Sequence, residues 1–93
     1  MAPYACRMAK QEGKHAIGAV QDVELVALGE REARLRGADL ASHDDLRLWL
    51  AGDDEEPIYA KVIDNPSAEA EIVVRFTSVP SIARGRLAQL LEA

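Results

Sequence analysis

Apolar and polar residues alternate with a period of two in six separate stretches of this chain, and the spacing changes to that of a helix once, at the C-terminal end. Tyr4, Cys6 and Met8 alternate with Ala5, Arg7 and Ala9, marking a short first strand after Met1 to Pro3, and residues 11 to 14 supply a turn. Ile17 to Leu28 is a long β-prone run in which Val20 lies on the even face while Val23 and Leu25 lie on the odd one. That slip predicts a bulge or break near Asp22. After a turn at Gly29 and Glu30, Ala33 and Leu35 face inward and Arg34 and Arg36 outward, and residues 37 to 44 read as a polar loop. Leu46, Leu48 and Leu50 alternate with Arg47 and Trp49 in a strand over residues 45 to 51, which Gly52 to Pro57 close as an acidic turn. The next strand is Ile58 to Ile63, ended by Asp64 to Ser67. In the clearest strand, Ile72, Val74 and Phe76 point one way and Glu71, Val73, Arg75 and Thr77 the other.

Beyond Thr77 the period lengthens. Pro80 suits the first turn of a helix, with Ser78 as its N-cap. On a helical wheel Ile82, Ala83, Leu87, Leu90 and Leu91 form a core face, with Arg84, Gln89 and Glu92 toward solvent. Gly85 within that helix costs about 1 kcal/mol against Ala. Six evenly spaced strands and one terminal helix predict an all-β fold: a closed or nearly closed six-stranded antiparallel β-barrel capped by a C-terminal α-helix, in one domain over residues 1–93.

Composition narrows the function classes. A chain of 93 residues has room for one core, built here from aliphatic side chains because the aromatics number one Trp, one Phe and two Tyr. A net charge of -5 argues against nonspecific binding to nucleic acid or acidic membranes, which calls for clustered Lys and Arg. A single cysteine, Cys6, excludes an intrachain disulfide and a multi-thiolate zinc site, and fits a reducing cytoplasm. No segment approaches the roughly 18 consecutive apolar residues that span a bilayer, and the N-terminal residues hold no signal-peptide core. A cytoplasmic protein without membrane insertion is expected.

Candidate chemistry is sparse. His43-Asp44-Asp45 offers ligand atoms at an unspecific spacing, and with His15 in a turn no metal site is expected. Cys6 and His15 make a conceivable thiol and base pair, but Cys6 falls on a core face, where a buried structural thiol is the simpler reading. The acidic run Asp53 to Glu56 lacks the spaced oxygens and central Gly of a calcium loop and reads as a solvated hairpin tip. No nucleophile, base and orienting group assemble, so no enzyme is expected. Trp49 falls out of phase with its leucine neighbours and should sit on the outer face, either covered by the C-terminal helix or exposed as an anchor for a partner. Arg31, Arg34 and Arg36 have the planar donor fork that suits phosphate or a guanine edge, against the plainer reading of an exposed strand face paired with Glu30, Glu32 or a neighbouring strand.

The pattern from Tyr4 to the C-terminus resembles the PilZ domain, the bacterial receptor module for cyclic di-GMP. The resemblance rests on Gly18-Ala-Val-Gln-Asp22-Val, Leu46-Arg-Leu-Trp-Leu50, Ile58-Tyr-Ala-Lys-Val62, Ile72-Val-Val-Arg-Phe76 and the closing helix. It implies a six-stranded barrel and a signalling context. The family's Arg-x-x-x-Arg pair, which grips phosphate and stacks on guanine, has no counterpart: no two arginines here lie four apart, and Lys10 and Lys14, which do, fall in a hairpin after the first strand. Its Asp or Asn-x-Ser-x-x-Gly motif aligns with Asp22 to Ala27 and matches only at Asp22, with Glu24 replacing the hydroxyl and Ala27 the glycine. The resemblance thus implies a degenerate member, a non-catalytic regulatory or adaptor domain in cyclic di-GMP-linked control of motility, pili, biofilm or virulence. It would act on a protein partner and need no cofactor. The alternatives are a cyclic di-GMP receptor that draws on Arg7, Asp22, Arg31 and Arg34 or on a partner subunit, and an unrelated SH3-like or OB-type barrel.

Overall fold

Each strand must turn its leucines, isoleucines and valines away from water, and a sheet of six such strands does so by curling until its first and last members meet. The computed structural model describes residues 4–14, 16–37, 40–50, 56–64 and 71–92, and places them in six strands and one helix: β1 Tyr4–Lys10, β2 Gln21–Leu28, β3 Glu32–Arg36, β4 Asp45–Trp49, β5 Ile58–Asp64, β6 Glu71–Ser78 and α1 Ser81–Glu92. The strands close into an antiparallel barrel in the order β1-β2-β3-β6-β5-β4. Two three-stranded meanders join at two seams, β1 with β4 (Met8 opposite Leu48) and β3 with β6 (Leu35 opposite Ile72). Met8, Leu25, Leu35, Leu48, Ile58 and Val74 are fully buried inside, each contributing roughly 1.5–3 kcal/mol of hydrophobic stabilisation.

The barrel has a plug at either end. β3 finishes and β4 begins at the same end but on opposite sides, so the connection between them crosses that opening, and Leu40 from this connection belongs to the core cluster. Residues 40 to 44 are therefore more than a polar loop. The connection closes on a β-turn in which the Asp44 amide donates to the Ala41 carbonyl and the Ala41 amide to the Asp44 carboxylate, both near 3 Å. α1 covers the opposite end, where Ala83 and Leu87 join the same interior cluster with Val79 and Leu90 beside them.

Several expectations are corrected. The break expected near Asp22 comes just before it: residues 18 to 20 lie outside any strand and β2 starts at Gln21, with Asp22 opposite Arg7 in the β1–β2 ladder. Residues 17 to 20 belong to a small return of the chain, in which Ile17 bridges Gln11 and the Gly18 amide donates to the Lys10 carbonyl. The bulge lies at Val26, between Leu25 and Ala27, and lets both Leu25 and Leu28 face the core although they are three apart. Ser78 does not cap the helix, because it is still paired to Tyr59 as the last residue of β6. The Pro80 carbonyl accepts the first helical bond, from the Arg84 amide at 2.9 Å. The helix buries a narrower face than the wheel predicts, with Ile82 64% and Leu91 43% exposed, because a helix plugging an opening touches it along one stripe. Met1 to Pro3, His15, Asp53 to Glu55 and Asn65 to Ser67 lie outside the described residues.

Candidate functional site

Strand alternation sends the arginines outward, and register decides what they meet. On β3, with Ala33 and Leu35 inside, Arg34 and Arg36 project onto the outer face opposite Val73 and Glu71 of β6. Arg36 holds Glu71 at 3.0 Å and lies 4.0 Å from Glu24 of β2, while Arg34 approaches the other oxygen of Glu71 at 3.7 Å. On the neighbouring strand pair, Arg7 meets Asp22 at 3.4 Å. A ladder of alternating charge thus runs across β1, β2, β3 and β6. All of these groups except Glu71 are about half-exposed or more, so the pairs are weak individually and set register more than stability. Three of the four ligand candidates, Arg7, Asp22 and Arg34, lie in this ladder.

Arg31 goes elsewhere. It precedes β3 in the turn from β2, where its carbonyl accepts the Phe76 amide at 2.8 Å and ends the pairing of β3 with β6. β6 runs on to Ser78 without a β3 partner, passing a bulge at Thr77 where Tyr59 and Ala60 are matched to Ser78 and Phe76. That overhang opens a cleft of about 840 Å³ between the β2–β3 turn, the end of β6 and the start of α1. Arg31, Arg75 and Arg84 line it with Glu30 and Glu32, as do the hydroxyl residues Thr77 and Ser78. Arg75 is held by Glu32 at 3.3 Å, and Arg84 reaches the Val79 carbonyl at 3.5 Å. Among the described residues the Arg31 guanidinium has no hydrogen-bond or ion-pair partner. Three arginines against two glutamates leave one net positive charge in this cleft on a chain whose net charge is -5.

The other candidates separate. Trp49 projects outward beside Arg7, as the alternation requires, yet it is 7% exposed and so offers a partner little surface. The helix is not placed over that face: its buried residues, Ala83 and Leu87, join the interior cluster, to which Trp49 does not belong. Ala9, outward on β1, is buried on the same side. Nearby, Arg47 stacks over the Tyr59 ring at 5.3 Å and donates to Gln11. Cys6 is buried, and burial pushes its thiol up to about 11. Asp44 is spent on its turn and on Lys10 at 3.8 Å, and Asp45 faces Lys61 at 3.9 Å, so neither converges with His43. No group of three or more potential metal-ligating His, Cys, Asp or Glu side chains occurs among the described residues. No helix among them is long and apolar enough to cross a membrane.

Sequence reading found Arg31 but neither of its companions, since Arg75 reads as an outward strand residue and Arg84 as the solvent side of a helix. Only the closure of β6 on β3 brings them together. Comparison with models of known protein families finds no match, and comparison with curated proteins finds none either.

Proposed function

We propose that this chain is a non-catalytic PilZ-like regulatory or adaptor domain, working in the bacterial cytoplasm in cyclic di-GMP-linked signalling and acting mainly through contacts with a protein partner. The observation that carries this reading is the state of Asp22, the one matched position of the family's ligand motif. It lies on the outer barrel face in an ion pair with Arg7, with Glu24 two residues on beside Arg36. A phosphodiester approaching that face meets carboxylates whose arginines are already engaged, and lacks the free pair of guanidinium forks that would grip it. The burial of Cys6, the one thiol of the chain, supports the non-catalytic part of the reading, because a substrate cannot reach it.

The test is isothermal titration of the chain with cyclic di-GMP. No heat of binding is expected in the micromolar range, and a micromolar dissociation constant sinks the adaptor-only reading. One observation favours a second reading, a receptor built on other arginines: Arg31 lines its cleft with no ion-pair partner among the described residues. That version requires Arg31→Ala to abolish binding while thermal unfolding stays where it was. OB-type oligonucleotide binding gains little support, since stacking platforms need exposed aromatics along a basic groove and Trp49 is buried.

A further inference from the structure

The cleft beside the helix start is charged in a way that selects its occupant, and we propose that it binds a single carboxylate presented by an acidic peptide segment of a partner protein. This rests on the adaptor reading, to which it adds the chemistry of the partner. Arg75 is already neutralised by Glu32, so the binding charge comes from Arg31 and Arg84, opposed by Glu30. One carboxylate matches the single net positive charge of the cleft and brings it to neutrality. Arg84 donates only a long 3.5 Å bond to the Val79 carbonyl, so little is lost when it turns to a stronger acceptor. Thr77 and Ser78, beyond the end of the β3 pairing, supply hydroxyl donors. The volume of about 840 Å³ exceeds the needs of an isolated ion and lies within the usual range for organic ligands.

The experiment follows backbone amide and arginine Nε–H resonances of the labelled chain in separate titrations. The probes are a blocked pentapeptide with one glutamate between alanines, its glutamine counterpart, and inorganic phosphate. The glutamate peptide should move the resonances of Arg31, Thr77, Ser78 and Arg84 saturably, with a midpoint on the order of 1 mM. The glutamine peptide and phosphate should move them far less. In Arg31→Gln the midpoint should weaken about tenfold with the thermal midpoint unchanged. Equal response to the glutamine peptide, tighter response to phosphate, or no response to the glutamate peptide each overturns the proposal. A fourth titration, with cyclic di-GMP, separates the two readings. Binding of the nucleotide with the glutamate response intact removes the adaptor reading alone, and a silent cleft without nucleotide binding removes the carboxylate site alone.

Discussion

Glu71 is the residue on which the outer charge ladder turns, since each of its carboxylate oxygens takes a different arginine of β3 and its own side chain is largely sheltered. Glu71→Gln should cost about 1 kcal/mol in urea unfolding at low salt, less in molar salt, because its partners are half-exposed and screened. Loss of the same amount at every salt concentration contradicts an electrostatic role. Inside the barrel the scale is larger. Leu48, fully buried opposite Met8, should cost about 2–5 kcal/mol on Leu48→Ala, a large share of the roughly 5–15 kcal/mol typical of a domain. Cys6 gives a pH signature. Its thiol has a pKa of about 11 in the fold against 9.0 as reference, so the native state keeps a proton that the unfolded chain loses. That contribution is complete below pH 9 and disappears as pH rises toward 11. The stability difference between the wild type and Cys6→Ala, measured by urea unfolding across this window, should shrink with rising pH, and a flat difference disproves the link.

The elements differ in how much of their stability they take from the core. In α1, Gly85 has open space where a Cβ would stand and lies mid-helix, so Gly85→Ala should stabilise the chain by about 1 kcal/mol, or about 4–8 °C in melting temperature for a domain of this size. An unchanged or lower midpoint shows that the helix is not formed as described. Strand positions were legible from side-chain alternation, because each strand has one wet and one dry face; Cys6, Met8, Ala33, Leu35, Ile72 and Val74 are inside as that rule requires. The break before Asp22 is legible because Val20 and Val23 fall on opposite faces, whereas the bulge at Val26 leaves only the three-residue spacing of Leu25 and Leu28 as its trace. The buried face of the helix is narrower than the wheel predicts, because a wheel counts apolar residues but carries no information on the width of the opening they fill. Ile82 and Leu91 are the surplus.

At the scale of the molecule, six strands and a barrel could be read from the chain, but not the order in which they join. Neighbours in sequence form hairpins, whereas the β1–β4 and β3–β6 seams depend on distant segments meeting. The cleft was illegible for the same reason, as it exists only where β6 outruns β3. The chain crosses once between the two meanders, from β3 to β4. Each meander has two unsatisfied borders, and both are completed by the other meander. Cutting the chain within that crossing should therefore yield two fragments that reassemble when expressed together and aggregate or stay unfolded when expressed apart, much as two half-shells hold their shape only when shut.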